Sequence, residues 1–214
     1  MKKALGLAVL MLFVGSTAAM AQTGLTGTGH DFSGAAWSGG DVCAPCHTPH
    51  AVLATDAPLW NHQLSISTFT PYTNPATMDA ATGQPGGASA ACLGCHDGLT
   101  AMDAFNGLET VADGLLGFMT QTPEAYGPND NKTALVGIDL TNDHPVSINY
   151  AEAITNGELW LNPPGDAGVA ALLRGGEVQC SSCHEPHNQG ADTYAFLRVD
   201  NTNSAMCTTC HNKL

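Results

Sequence analysis

The chain has 214 residues, and its 19 acidic side chains outnumber 6 lysines and arginines to give a formal net charge of −13. This acidity argues against a nucleic-acid-binding protein, because such proteins need a basic surface for the phosphate backbone. The length allows one or two domains, and the excess of carboxylates is typical of a solvated surface.

The first 21 residues have the pattern of an export signal. Two lysines precede an apolar stretch at residues 4–14, and an A-x-A cleavage pattern ends at Ala21. The apolar stretch is too short to span a bilayer as a helix. We therefore expect an exported protein of residues 22–214 without a membrane span. Loss of Lys2 and Lys3 with the signal peptide would leave a formal charge of 4 − 19 = −15.

The pentapeptide C-x-x-C-H occurs four times and uses every cysteine of the chain. We number the copies motif 1 (43–47), motif 2 (92–96), motif 3 (180–184) and motif 4 (207–211). The pattern is typical of c-type haem attachment, because a helical turn presents both thiols and the histidine on one face. The predicted haem-binding residues are Cys43, Cys46, Cys92, Cys95, Cys180, Cys183, Cys207 and Cys210.

Two other uses of eight cysteines compete with haem attachment. In an exported chain they could form four disulfides, and C-x-x-C pairs could bind zinc. Neither use requires a histidine immediately after every second cysteine, as this chain has. The predicted cofactor is therefore haem c with its iron, four per chain and covalently bound.

The expected fold follows from this large amount of cofactor. Four haems in 214 − 21 = 193 residues would themselves supply much of the apolar core. Glycine and proline occur 24 and 12 times, and both interrupt regular elements. We expect a haem-packed chain that is mostly coil, with short α-helices at the haem sites and little or no sheet. Without haem the chain should be largely unfolded.

The motifs alternate between a long and a short form. Motifs 1 and 3 continue to a second histidine, C-x-x-C-H-x-P-H, whereas motifs 2 and 4 do not. This alternation predicts one tetrahaem cytochrome c domain, 22–214, that consists of two tandem haem pairs at about 22–145 and 146–214. The segments between the motifs show no mutual similarity.

Nine histidines are available as axial ligands of the irons. The motif histidines are the predicted attachment ligands: His47, His96, His184 and His211. The remaining five are candidates for the second ligand of each iron: His30, His50, His62, His144 and His187. Five candidates for four irons leave one that is spare or that serves another subunit. The surplus also argues against an open iron position, which a haem enzyme needs for its substrate.

His50 and His187 permit a sharper prediction, since each lies three residues after an attachment histidine. Neither can reach the opposite face of the same haem. If either binds iron, that iron belongs to another haem, and three residues span at most roughly 10–11 Å. The long motifs should therefore hold two haems close together, as a chain of electron carriers requires.

Several longer patterns accompany the motifs in a fixed order. These are HDFS at 30–33, CAPCHTPH at 43–50, PLWNH at 58–62, CLGCHDG at 92–98, HPV at 144–146, CSSCHEPH at 180–187, FLR at 196–198 and a terminal CTTCH. The chain thus resembles the doubled-CxxCH multihaem cytochromes c of metal-respiring microbes. It is similar in particular to the tetrahaem OmcE-type cytochromes that polymerise into extracellular nanowires.

This resemblance implies bis-histidine ligation of all four haems and an electron-transfer function without catalysis. It also implies a homopolymer in which a histidine of one subunit binds a haem of the next, and His50 is the favoured ligand in trans. Redox partners would be other cytochromes or extracellular electron acceptors. The protein would lie outside the cell or at its surface.

Two alternatives stay open at this point. A soluble periplasmic tetrahaem shuttle would use the same haems with every ligand from one chain. A multihaem reductase with an open haem site is less favoured. Separately, Asn131-Lys132-Thr133 fits a glycosylation acceptor, a pattern too short to be specific.

Overall fold

The computed structural model describes residues 24–50, 59–105, 135–187 and 196–212. The predicted export signal, the Asn131 glycosylation pattern and the central part of the segment 97–143 lie outside the described residues. The predicted fold class is confirmed, since the described chain is mostly coil with short helices and one two-stranded sheet.

Five α-helices and two strands follow one another along the described chain. The helices are α1 (Gly87–His96), α2 (Tyr150–Asn156), α3 (Ala167–Leu172), α4 (Cys180–Cys183) and α5 (Ala205–Cys210). The strands β1 (Ile148–Asn149) and β2 (Glu177–Val178) pair in antiparallel register, with Ile148 opposite Val178. Short 3-10 turns occupy Phe32–Gly34, Ala36–Ser38 and Thr202–Ser204.

Helix α1 is the longest element and includes motif 2. Three alanines, the residue with the highest helix propensity, lie in its first half. The helix ends where the Asp97 N–H donates to the Leu93 carbonyl at 3.0 Å. The Asp97 carboxylate then accepts the N–H groups of Leu99 and Thr100 at 2.8 and 2.9 Å. The sequence after the motif therefore turns away at once, and His96 stays at the end of the helix.

Helix α2 anchors the second half of the molecule. The Asn149 side chain caps its start by accepting from the Glu152 N–H at 3.0 Å. Gly157 ends it with a φ of 125°, which a residue with a side chain rarely adopts. Tyr150 at its start is only 2% exposed. The caps thus fix a seven-residue helix that would be too short to be stable alone.

The apolar core of the described residues is divided into two small clusters. One lies among α2, α3 and the sheet, and its buried members are Ala80, Ile148, Tyr150, Ala153, Val169 and Val178. The other joins α1 to the preceding and following coil through Phe69, Leu93 and Leu140. In the described segments, no helix is both long and apolar enough to cross a membrane.

Candidate haem-attachment sites

All four motifs form the local turn that haem attachment requires. Motif 2 ends α1, motif 3 forms α4 and motif 4 ends α5. Motif 1 is a single hydrogen-bonded turn, in which the His47 N–H donates to the Cys43 carbonyl at 2.8 Å. The corresponding bonds of His184 and His211 measure 3.0 and 2.8 Å. The spacing of thiols and imidazole is therefore the helical one that the sequence predicts.

All eight cysteines carry free thiols, as covalent attachment to haem vinyl groups requires. Burial raises the pKa of the Cys46 thiol to about 11 and raises that of Cys95 further. Burial has this effect because a thiolate is poorly solvated in an apolar environment. At neutral pH both groups are therefore thiols and not thiolates.

Cys180 of motif 3 differs from the other thiols. The Cys92 thiol donates a hydrogen bond to it, and with help from the Ser89 hydroxyl this lowers the pKa of Cys180 to about 7. The bond also shows that motifs 2 and 3 meet thiol to thiol.

A buried polar junction holds these two motifs together. The Gln179 side-chain oxygen accepts from the Ser89 hydroxyl at 2.6 Å and from the Ser89 N–H at 3.0 Å. The Ser89 hydroxyl in turn accepts the Cys180 N–H at 3.0 Å. Ser89 is fully buried and Gln179 is 3% exposed. Since buried polar groups are costly when unpaired, this junction fixes α1 against α4.

Motif 1 is held from outside by a three-residue segment, 59–61, that we call its clip. The Thr48 N–H donates to the Leu59 carbonyl at 2.9 Å. The Asn61 N–H donates to the Cys46 carbonyl at 2.9 Å. The Asn61 side-chain amide donates to the Ala44 carbonyl at 2.6 Å. The backbone of the attachment histidine is thus bracketed on both sides.

Motif 3 has the same clip at 196–198. The Glu185 N–H donates to the Phe196 carbonyl at 2.6 Å, and the Arg198 N–H to the Cys183 carbonyl at 2.9 Å. The Arg198 Nε–H donates to the Ser181 carbonyl at 2.6 Å. Each contact lies 137 positions after its counterpart at motif 1 (184 − 47 = 137 for the histidines). Even the strained first residues agree, with φ of 54° at Leu59 and 55° at Phe196.

Motif 4 has a clip that precedes it in sequence, at 160–162. The Asn212 N–H donates to the Trp160 carbonyl at 2.8 Å, and the Asn162 N–H to the Cys210 carbonyl at 2.7 Å. The Asn162 side-chain amide donates to the Thr208 carbonyl at 3.1 Å. Three of the four motifs therefore share one supporting arrangement, although the clips lie on different sides of their motifs along the chain.

These clips were not predicted from the sequence. Two of the segments, LWN within PLWNH and FLR, belong to the longer patterns noted above, but no role was predicted for Asn61, Arg198 or Asn162. A signal does exist, because each clip is two apolar residues followed by a side-chain donor, LWN, FLR and WLN. The segments between the motifs therefore do share one short feature, the clip triplet, although the rest of their sequences differ.

Three attachment histidines each lie beside a different one of the five additional histidines. The ring centroids are 6.1 Å apart for His96 and His30, and 6.0 Å for His47 and His187. They are 6.3 Å apart for His211 and His144. The structure therefore brings six of the nine predicted ligands together in pairs, and each pair joins distant parts of the chain.

The additional histidines are oriented through Nδ1. This nitrogen lies 3.3 Å from the Pro186 carbonyl in His30 and 2.9 Å from the Pro145 carbonyl in His144. In His187 it lies 3.0 Å from a Glu185 carboxylate oxygen. An Nδ1–H that donates to oxygen leaves the Nε2 lone pair available, which is how metal-binding histidines are usually held. Burial lowers the pKa of His30, which favours the neutral form that binds metals.

His62 and His50 occupy opposite environments. His62 is 1% exposed, with Nδ1 2.9 Å from the Gln63 carbonyl and Nε2 3.4 Å from the Cys95 sulfur. Burial lowers its pKa too. His50 is exposed at the end of motif 1. The two therefore differ in what they can reach, since His62 is enclosed beside motif 2 and His50 faces outwards.

Motif 3 opens into a cleft of about 200 Å³. Apolar side chains line it beside the motif, among them Leu93, Leu140, Val146 and Val178. Cys180, Cys183 and His184 border the same cleft. The free thiols, paired imidazoles and apolar cleft together fit a covalently attached haem.

Successive motifs adjoin in the order of the sequence. The Cys95 sulfur of motif 2 lies beside His62, which directly follows the clip of motif 1. Motifs 2 and 3 meet at Cys92 and Cys180. Helix α3 packs against both α4 and α5, and so joins motif 3 to motif 4. Each motif therefore adjoins the next, and motif 1 also meets the region of motif 3 through His47 and His187.

Comparison with known families supports this assignment. Residues 172–214, which include motifs 3 and 4, match a family model described as "Doubled CXXCH motif". The match supports a multihaem c-type cytochrome family, whose motifs indicate covalent haem c with iron and electron transfer rather than catalysis. Multihaem c-type cytochromes are exported proteins. No curated protein matches the chain as a relative.

Proposed function

We propose that this protein transfers electrons through four haems, one at each motif and each with two imidazole ligands, as the subunit of an extracellular filament. The observation that supports this most directly is the set of three imidazole pairs. With nitrogen–metal bonds of about 2 Å and ring centres roughly 1 Å behind the nitrogen, two imidazoles on one iron have centroids about 6 Å apart. The three measured separations are 6.0, 6.1 and 6.3 Å.

Haem iron, when bound, supplies reversible one-electron exchange, and two imidazoles favour a low potential relative to histidine–methionine ligation. The chain's own part is to fix spacing, ligands and solvent access. Its contacts suit that part, because thiols of motifs 2 and 3 touch and the imidazole of His187, just after motif 3, lies beside His47 of motif 1.

The additional histidines decide between a filament and a monomer. Three of them, His30, His144 and His187, each lie beside an attachment histidine. His62 is enclosed at motif 2, with neighbours at both ring nitrogens. His50 is exposed. We assign His50 as the ligand in trans, because an exposed imidazole is available to an iron of a neighbouring subunit.

The internal repeat supports the same assignment. Motif 3 repeats motif 1 together with its clip, and His187, three residues after the attachment histidine of motif 3, lies beside His47 of motif 1. If the same relation continues into a second copy of the chain, the counterpart of His187 beside His184 is His50 of that copy. A head-to-tail contact of this kind propagates into a filament unless its rotation closes a ring.

A soluble periplasmic shuttle is the second candidate function, and the His62 ring favours it. Its Nδ1 already points at a carbonyl oxygen, as in His30 and His144. In a shuttle, His62 or His50 of the same chain would complete the fourth site.

Electron cryo-microscopy of the haem-loaded protein, sheared from the cell surface, tests the filament directly. We expect filaments in which His50 binds the iron of motif 3 in the next subunit, with four haems per chain by mass spectrometry. His50→Gln should abolish polymerisation and expose one high-spin iron in the visible spectrum. His62→Gln should leave the spectrum low-spin.

Other outcomes separate the candidates. Dispersed monomers that stay fully low-spin, with a high-spin iron in His62→Gln, would replace the filament by the shuttle. A wild-type protein with a high-spin iron would favour the reductase, and one with fewer than four haems would overturn the proposal itself.

A further inference from the structure

The clips have a second property beyond their shared backbone contacts. In each, the third residue uses its side chain to donate to the carbonyl of the first variable residue of the motif, Ala44, Ser181 or Thr208. The carbonyls in the last turn of a helix have no partner within that helix. These motifs have one turn or little more, so the clip donor satisfies a group that the motif cannot satisfy itself.

The comparison with motif 2 indicates why the other three motifs need the support of a clip. It ends a helix of ten residues, whose preceding turns and buried face hold the motif in place. Motif 1 has no helix assigned, and α4 and α5 have four and six residues. Helices this short are unstable alone, so external hydrogen bonds must hold the turn that presents the thiols and the imidazole.

We propose that Asn61, Arg198 and Asn162 are positioning residues that set the direction of the attachment imidazoles of motifs 1, 3 and 4. This inference rests on the proposed role of the motifs as haem sites. The backbone on both sides of each histidine is hydrogen-bonded to the clip, and the side-chain donor fixes the turn three residues before that histidine. Loss of the donor therefore tilts the imidazole that faces the iron.

Motif 3 offers the sharpest test, because Arg198 has two separable contacts. Its Nε–H donates to the Ser181 carbonyl at 2.6 Å, and its Nη1 lies 2.8 Å from Glu185. Arg198→Asn keeps a donor of the kind that motifs 1 and 4 use at the equivalent position and removes the ion pair. Arg198→Met removes both contacts and keeps the apolar stem. The Arg198 side chain is 26% exposed, so both variants should fold.

The experiment uses the haem-loaded protein and two spectroscopic measurements. Low-spin electron paramagnetic resonance reports the imidazole geometry, and a spectroelectrochemical titration reports the potentials. We expect Arg198→Met to shift one low-spin signal and one midpoint potential, and Arg198→Asn to retain the wild-type values. Asn61→Leu and Asn162→Leu should each shift a different signal.

Asn156→Leu is the matched control. Asn156 also donates from its amide to a distant backbone carbonyl, that of Asp79 at 2.8 Å, but outside the motifs. Its spectra and potentials should equal those of the wild type. Equal shifts in Arg198→Asn and Arg198→Met would assign the effect to the ion pair and overturn the positioning role, as would wild-type spectra in all the clip variants. A wild-type protein without low-spin haem would instead overturn the proposed function.

Discussion

Motifs 2 and 4 have the same pentapeptide pattern but are held in different ways. Motif 2 ends a helix with four buried residues, two of which, Leu93 and Gly94, belong to the motif. Helix α5 of motif 4 has no buried residue, and hydrogen bonds from its clip and from Tyr150 support it. The comparison shows that one attachment sequence is positioned either by packing of its own helix or by donors from elsewhere. The loss of stability caused by a substitution should therefore differ between the two sites.

The largest expected effect is at motif 2, with Gly94→Ala. A Cβ at this position would lie 2.5 Å from the Gln63 carbonyl oxygen and 3.3 Å from Nδ1 of His62. Alanine ordinarily gains roughly 1 kcal/mol over glycine in a helix, but overpacking against backbone should reverse this and destabilise the protein by about 3 kcal/mol. Chemical denaturation of the haem-loaded protein, followed by circular dichroism, measures the change.

Gly83→Ala is the control for this prediction, since nothing lies within 4 Å of the added Cβ. We expect its stability to stay within about 0.5 kcal/mol of the wild type. A stable Gly94→Ala protein would mean that packing does not hold motif 2 as tightly as the contact distances indicate.

A smaller effect is expected where motif 2 meets motif 3, with Gln179→Leu. Leucine keeps most of the volume but removes the acceptor for the hydroxyl and N–H of Ser89, both buried. Buried donors without an acceptor cost about 1–3 kcal/mol, and we expect a loss near 2 kcal/mol in the same denaturation experiment. Gln84→Leu, which removes an exposed amide bound to the Phe69 backbone, should cost less than half as much. Equal losses in the two variants would contradict a special role for the buried junction.

The smallest effect should appear at motif 4, with Tyr150→Phe. The Tyr150 hydroxyl lies 2.9 Å from the Asn162 carbonyl and 3.1 Å from the Cys210 carbonyl, and so joins the clip to its motif. Loss of this hydroxyl should cost about 1 kcal/mol. Tyr72→Phe removes a hydroxyl that bonds only at an exposed site, to Thr77, and should change stability by less than about 0.5 kcal/mol. If the order of the two tyrosine variants were reversed, the support of motif 4 would lie elsewhere.

The sequence was sufficient to predict the fold class and the helical turn at each C-x-x-C-H motif. A C-x-x-C-H pattern is a property of one helical turn, so its geometry depends on little beyond five neighbouring residues. The prediction of short helices and coil was confirmed for the same reason, since frequent glycine and proline and a cofactor-rich core leave few long periodic segments. The clips were missed because their role depends on where the chain folds back, which the triplets LWN, FLR and WLN do not state.

What the amino-acid sequence determined by itself is the set of candidate ligands and the four turns that present them. The tertiary structure decided which imidazoles face each other and in which order the motifs adjoin. The physical reason is the separation along the chain: His30 reaches Pro186 across 156 positions, and His187 faces His47. Such contacts form only when the whole chain packs, and no local pattern encodes which of five similar side chains arrives at a given site.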